Sequence, residues 1–172
     1  MVKYAGIGSR ETTDEALNTM HQIAKELSSR GWMLRSGNAD GADKAFQEGN
    51  DGIAEIFLPW DGYNNLSRTC SGVKVGTDLS TYAQAERIAS MSHPAWDKCS
   101  QGARKLHTRN VFIVLGATLT EPVDCVICWT KDGTASGGTG QAIRLAEFLK
   151  IPVFNLYHSD TLTQLEKFVI NH

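Results

Sequence analysis

The sequence predicts an α/β fold in which helices cover both faces of a mainly parallel, five-stranded sheet. Short apolar runs alternate along the chain with longer segments that have apolar residues at helical spacing. The apolar runs lack the apolar–polar alternation of a half-exposed sheet, and a helical segment follows almost every one of them. This pattern is typical of parallel strands buried on both faces. Right-handed crossovers then give a doubly wound, Rossmann-like arrangement.

The first half of the chain contains three predicted strands, at residues 2–7, 32–36 and 54–59. A Thr/Asp start, apolar residues at helical spacing and a terminal Gly31 predict a helix between the first two strands. A shorter helix is predicted at about 41–49. The polar, glycine-dotted span from 61 to about 78 predicts a long loop excursion.

The second half begins with a predicted helix at about 79–91. A long helix is predicted from about 102, because no helix breaker separates "ARKLHTRN" from "VFIVL", although those last residues also fit a strand. The remaining predictions are strands at 123–130 and 151–156 and helices at 141–150 and 161–170. With 172 residues, 41% of them hydrophobic, the chain is expected to form one domain over 1–172.

Charge and hydropathy exclude some classes of protein. The formal charge of −2 argues against a protein that coats nucleic acid by charge alone, so nucleic acid is a possible partner but not an indicated one. No apolar run has transmembrane length, and "MVKYAGIGSR" lacks the pattern of a signal peptide. We therefore expect a cytoplasmic protein (in the host cytoplasm if a phage encodes it) with no membrane partner.

The four cysteines do not predict a metal site. Cys125 and Cys128 form a C-x-x-C pair inside a predicted strand, where positions three apart point to opposite faces. The sequence has no second closely spaced pair. We therefore expect buried, reduced thiols, with no metal and no cofactor.

Three glycine-rich loops are predicted to leave the same edge of the sheet, after the first, second and fourth strands. Glycines permit close backbone approach, and the helix starts that follow offer free N–H groups to an anion. Three such loops at one edge predict a pocket for a phosphate-bearing ligand. The candidate ligand-binding residues in these loops are Gly8, Ser9, Arg10, Ser36, Gly37, Asp40, Asp43, Gly137, Gly138 and Thr139.

Two well-known nucleotide motifs are absent from the sequence. It contains no G-x-x-x-x-G-K-[ST], which argues against Walker-type ATP hydrolysis. The segment "GIGSRE" has Glu11 where the third glycine of G-x-G-x-x-G belongs, and no acidic residue ends the second strand to select an NAD ribose. A dehydrogenase is therefore disfavoured.

Other candidates lie outside the glycine loops. Arg109 and Asn110 run directly into "VFIVL" and are expected near the buried boundary, where an arginine can hold a phosphate or sugar by two parallel hydrogen bonds. His107 is either structural or functional. Trp60 or Tyr63 is a candidate for stacking on a base.

The segments "GIGSRET", "LRSGNADGADKAF", "KLHTRN" and "SGGTGQAIRLAEFLKIPVFNL" together resemble the SLOG superfamily of Rossmann-like proteins. That superfamily includes the DNA-processing proteins DprA/Smf, the LOG phosphoribohydrolases and domains that sense nucleotide signals. The resemblance spans nearly the whole chain and is strongest to compact DprA-like proteins of phages and prophages. It implies a ligand pocket built from the loops after strands one, two and four.

The match to LOG enzymes is incomplete at the catalytic loop. Their P-G-G-x-G-T-x-x-E motif is similar to "SGGTGQAIR", with Ser136, Gln141 and Arg144 at the positions of the proline, the threonine and the catalytic glutamate. Their M-H-x-R-K motif matches at Arg109 and departs at Asn110. Cleavage of an N-glycosidic bond would therefore need another carboxylate, from Asp40, Asp43 or Glu11.

Three functions follow as alternatives. The first is a binding protein for an ADP-ribose, cyclic nucleotide or nucleoside-phosphate ligand, acting as a sensor or as a phage sponge for a host immune signal. The second is a LOG-like hydrolase, with Asp40, Asp43 and Arg109 as catalytic candidates. The third is a DprA-like mediator that binds single-stranded DNA. Relatives of this architecture commonly dimerise, so a homo-oligomer is expected, and the apolar "VFIVLGA" is one candidate contact.

Overall fold

The computed structural model describes residues 1–76 and 78–172, and these residues form a six-stranded, all-parallel sheet. The predicted α/β, doubly wound, Rossmann-like fold is confirmed. The strands are β1 (Lys3–Gly6), β2 (Met33–Ser36), β3 (Ala54–Leu58), β4 (Val73–Val75), β5 (Cys125–Cys128) and β6 (Val153–Asn155).

Six α-helices connect or follow the strands within the described part of the chain. They are α1 (Asp14–Ser29), α2 (Ala42–Gly49), α3 (Leu79–Ser92), α4 (Gln101–Leu115), α5 (Gly137–Phe148) and α6 (Thr161–Ile170). Side-chain oxygens of Thr13, Asp78 and Ser100 accept an N–H of the first turn of α1, α3 and α4, respectively. These caps explain why three of the helices begin where they do.

The sheet has one strand more than the sequence predicted. Strand β4 lies at the sheet edge, in the segment expected to be a loop, and its Val73 is paired with Ile56 of β3. It has three half-buried residues, so its sequence carries too short an apolar pattern to predict a strand. A smaller difference concerns α5, which begins at Gly137, so most of the predicted "SGGTG" loop forms its first turn.

The strand order β4-β3-β2-β1-β5-β6 fixes where a site can form. From β1 the chain proceeds outward to β4 and then returns to the other side of β1. The order therefore reverses between β1 and β5, and the loops that leave the carboxyl ends of these two strands separate in opposite directions. A crevice opens at this point in doubly wound sheets.

Two hydrophobic clusters cover the two faces of the sheet. One cluster joins β1 and β5 to α1, α2 and α6, and the other joins them to α3, α4 and α5. Cys125 belongs to the first cluster and Cys128 to the second, which confirms that they point to opposite faces. The segment Val111–Leu115 is helical, as favoured, and is buried inside the second cluster. No helix in the described residues is long and apolar enough to cross a membrane.

Candidate functional site

A cavity of about 790 Å³ lies at the crevice between β1 and β5. Its walls come from the loops after β1, β2 and β5, from α4 and from the first turn of α5. The three predicted glycine loops thus meet at one site. Nine of the predicted ligand-binding residues line it: Gly8, Ser9, Arg10, Asp43, Arg109, Asn110, Gly137, Gly138 and Thr139.

The first turn of α5 forms one wall of the cavity. Ser136 precedes the helix, but its hydroxyl donates to Oδ1 of Asp132 at 2.7 Å, and no side chain among the described residues caps this helix end. The first N–H groups of a helix have no intrahelical partner and carry partial positive charge. This end of α5 therefore offers N–H donors to an anion in the cavity.

The two glycines Gly8 and Gly138 differ in how tightly the protein packs around them. A Cβ added to Gly138 would meet no atom of the described residues within 4 Å, and its φ angle is not in the left-handed region. A Cβ added to Gly8 would lie 2.6 Å from Cβ of Ala42 and 3.2 Å from the carbonyl oxygen of Trp129. The protein's own packing thus accounts for Gly8, whereas nothing in that packing requires glycine at 138.

The β1–α1 loop forms another wall and is held by backbone hydrogen bonds within the loop and to Trp129. The Ser9 N–H donates to the carbonyl of Trp129, and the carbonyl of Ser9 accepts from the N–H of Thr12. Arg10 is exposed and makes no ion pair with any residue that the structure describes. Among the described residues, Arg10 is thus a cation of the cavity lining without an acidic partner.

Asp43 and Arg109 organise the β2–α2 loop from opposite sides. Oδ2 of Asp43 accepts the N–H groups of Gly37 at 3.0 Å and Ala39 at 3.3 Å, while Nη1 of Arg109 donates to the carbonyl of Gly37. The Arg109 guanidinium also stacks over the ring of Tyr63, 5.6 Å from its centroid. Both charged side chains are more than nine-tenths buried.

Burial dominates the ionisation of this pair. It raises the pKa of Asp43 to about 6, against the opposing effects of the Arg109 charge and the backbone N–H groups. Burial likewise lowers the pKa of Arg109, which remains protonated at neutral pH because its ordinary value is so high. The site therefore contains a carboxyl group that titrates close to neutrality.

Four predicted residues do not line the cavity. Asp40 is exposed and pairs with Lys44 on α2, with 2.8 Å between Oδ1 and Nζ. Ser36 is buried and donates to the carbonyl of Gly6, and Gly37 lies behind the Arg109 guanidinium. Trp60 packs edge-on against Tyr63, with ring centroids 5.3 Å apart, so Tyr63 is the aromatic residue that reaches the cavity.

The cavity also has lining residues that the sequence did not single out. Thr130, Lys131 and Asp132 follow β5 after one intervening residue, and Leu106 lies one turn before Asn110 on α4. The signal that could have identified the first three is their position at the tip of a buried strand next to the order reversal. Nζ of Lys131 lies 3.6 Å from Oε2 of Glu11, which links two of the loops.

His107 lines the cavity and is 8% exposed. Burial and the charges of nearby residues lower its pKa to about 4, so the ring is neutral at physiological pH. Arg144, at the position of the LOG catalytic glutamate, donates to the carbonyls of Ser92 and Ala135 and ties α5 to its surroundings. Arg144 thus has a structural role here.

No family model and no curated protein matches the sequence. Among solved structures, the chain is similar to DNA processing protein A from Helicobacter pylori, a structure described for its single-stranded DNA binding mode. The two are 21% identical with a TM-score of 0.62, and the match covers 96% of this chain and 72% of that one. At this level of identity the likeness shows a shared fold.

Proposed function

We propose that this protein binds a small nucleotide-derived ligand, of the ADP-ribose, cyclic nucleotide or nucleoside-phosphate type, in the cavity between β1 and β5. One observation carries the proposal: the uncapped first turn of α5 faces the cavity through Gly138, a glycine that the packing does not require. A missing Cβ at a helix start lets an anion approach the backbone N–H groups. The cavity volume is in the range of small-molecule sites.

The charges around the cavity support a phosphate at this end of α5. Arg10 lies on the β1–α1 loop without an ion-pair partner among the described residues, and Lys131, which follows β5, lies 3.6 Å from the exposed Glu11. The lining also includes the apolar side chain of Leu106 and the ring of Tyr63. We therefore place the phosphate at Gly137–Thr139 and the base or sugar toward Tyr63.

Binding without turnover is the favoured activity, because each of the three carboxylates predicted for catalysis already has a partner. Glu11 lines the cavity and lies 3.6 Å from Nζ of Lys131. Asp40 is exposed and paired with Lys44, and Asp43 accepts backbone N–H groups of its own loop. A protein that holds a nucleotide signal without cleaving it acts as a sensor or as a sponge. The role as a phage sponge for a host immune signal is part of this proposal.

A thermal-shift panel of nucleoside phosphates, ADP-ribose and cyclic dinucleotides tests the proposal. A ligand present at 100 times its Kd raises the free energy of unfolding by about 2.7 kcal/mol, or the Tm by about 5–10 °C for a domain of this size. We expect at least one compound of the panel to give such a shift. If none does so at millimolar concentration, the proposal is wrong.

Gly138→Ala is the variant that separates binding from folding. The added methyl projects into open space, so we expect unchanged or slightly higher stability, by up to about 1 kcal/mol. The same methyl would contact the bound phosphate, and we expect the affinity to fall by about tenfold or more. Gly102→Ala is the matched control, because Gly102 lies in the first turn of α4 with equally open space and outside the cavity lining. Equal affinities for the two variants would contradict the placement of the ligand.

A second candidate activity, N-glycosidic hydrolysis, is favoured by one observation: Asp43 lines the cavity and has a pKa near 6. A carboxyl group in that range can act as a general acid or base. Incubation with nucleoside monophosphates and NAD, followed by measurement of free base, tests this activity. Release of base that is lost in Asp43→Asn would favour hydrolysis over binding alone.

A third candidate, binding of single-stranded DNA, rests on the shared fold with the Helicobacter pylori protein. The net charge of −2 gives it little electrostatic support. Salt-dependent retention of a labelled single strand would favour it. The expected homo-oligomer stays a prediction. Its candidate contact, "VFIVLGA" at 111–117, is buried within the monomer except at Ala117.

A further inference from the structure

Three potential metal ligands converge where the α3–α4 connection packs against α4. One ligand atom from each of His93, Cys99 and His107 lies within 4.8 Å of the other two. Sγ of Cys99 is 3.7 Å from Nε2 and 3.9 Å from Nδ1 of His93, and the two imidazole centroids are 4.4 Å apart. In a tetrahedral zinc site with ordinary bond lengths, neighbouring nitrogen and sulfur ligands are about 3.4–3.7 Å apart. Small side-chain rotations therefore suffice to surround one ion.

The buried ring of His107 supplies independent support. Its Nδ1 is inaccessible to solvent and has no hydrogen-bond partner among the described residues. Buried polar atoms are nearly always satisfied, so an unpartnered imidazole nitrogen beside a thiol and a second histidine needs an explanation. A bound cation provides one.

The donor atoms of the cluster suit metal binding. Nδ1 of His93 accepts the N–H of Ala95 at 3.0 Å and therefore carries the lone pair, which a metal would take in place of that hydrogen bond. Cys99 is a free, half-buried thiol, and it would lose its proton to the solvent when the metal binds.

We propose that His93, Cys99 and His107 form a Zn²⁺ site with one open coordination position. His107 also lines the cavity, so the site adjoins the proposed ligand pocket. Water, hydroxide or an oxygen atom of the pocket's ligand can take the fourth position. Metal binding itself does not depend on the proposed nucleotide function.

Measurement of bound metal tests the site directly. The purified full chain is stripped with a chelator, titrated with Zn²⁺ and analysed for metal by elemental analysis and calorimetry. We expect one Zn²⁺ per chain. Cys99→Ser and His107→Gln are expected to weaken binding by more than about 100-fold, whereas Cys70→Ser and His21→Gln, which lie outside the cluster, should bind like the parent protein.

Co²⁺ gives a readout that needs no folded variant. In the unaltered protein, Co²⁺ bound by a thiolate and two imidazoles gives a sulfur-to-metal charge-transfer absorption and the visible bands of tetrahedral cobalt. Alkylation of the thiol before Co²⁺ is added should abolish the charge-transfer absorption. If the parent protein binds less than one Zn²⁺ per chain, or if Co²⁺ binds without this absorption, the cluster is only a packed pair of histidines and the proposal is wrong.

Discussion

At the scale of single residues, Asp40 and Asp43 show that two aspartates of one short motif can have different roles in the folded protein. Two aspartates stand in "NADGAD", and the sequence left open whether they bind ribose, catalyse or cap a turn. The structure separates them: Asp40 pairs with Lys44 at the surface, whereas Asp43 is buried and accepts the N–H groups of Gly37 and Ala39. Residue type and spacing do not reveal which side chain faces inward, because this depends on where α2 packs.

The raised pKa of Asp43 makes stability depend on pH. Burial raises the pKa of Asp43 from 3.8 in the unfolded chain to about 6 in the folded protein, so folding takes up a proton between these pH values. Ionisation of Asp43 at higher pH therefore lowers the free energy of unfolding. We expect the free energy of unfolding of Asp43→Asn minus that of the parent protein, both measured by urea unfolding, to rise by up to about 3 kcal/mol between pH 4 and pH 7. Asp40→Asn, at an exposed site, should show no such rise. A constant difference across this range would contradict the burial of an ionisable group at 43.

At the scale of secondary-structure elements, the strands and helices were largely predictable, and the exceptions have physical causes. Helix α4 could be predicted because nothing interrupts its helical pattern. Strand β4 could not, since a three-residue edge strand depends on pairing with β3 rather than on its own sequence. The polar contacts between elements could not be predicted from the sequence either, and the fully buried Arg35 on β2 is the clearest case.

Arg35 links β2 to β3 and to the loop before β5. Its Nε is 2.6 Å from Oε2 of Glu55, the residue opposite it in the parallel register, and its Nη1 donates to the carbonyl of Glu121. We expect Arg35→Leu to lower the free energy of unfolding by about 3 kcal/mol, because Glu55 and that carbonyl lose their donor in a mostly buried place.

The exposed pair of Arg30 and Glu26 on α1 provides the control for Arg35→Leu. These side chains are 2.8 Å apart but are roughly half exposed, so Arg30→Leu should change stability by less than about 1 kcal/mol. Chemical denaturation of both variants measures the difference. Equal losses would mean that burial does not determine the contribution of Arg35.

At the scale of the whole molecule, the sequence predicted that three glycine-rich loops meet at one cavity. It did not predict the cluster of side chains that forms next to this cavity. The order of strands and glycine loops is enough to place the cavity at the sheet edge. His93, Cys99 and His107 come together only because the α3–α4 connection folds back on α4, and their spacing in the chain matches no familiar metal motif. The packing of one helix against another determines such clusters.

The distribution of the cysteines predicts how the molecule reacts with a thiol reagent. Cys70 is exposed, Cys99 is half-buried, and Cys125 and Cys128 lie on opposite faces of the central sheet. Burial raises the pKa of both strand thiols, that of Cys128 to about 12. We expect Cys70 to react fastest with Ellman's reagent, Cys99 more slowly, and the last two only after unfolding. Rapid labelling of all four cysteines in the native protein would contradict the burial of Cys125 and Cys128 in the core.

The edges of the sheet determine how copies of this chain can associate. Both outermost strands, β4 and β6, have three residues, so each presents only two or three free backbone groups to a neighbour. Short edge strands are one means by which proteins avoid pairing sheet to sheet across molecules. An oligomer of this chain is therefore expected to form through its helices, and a continuous intermolecular sheet, with the aggregation that follows from it, is not expected under native conditions.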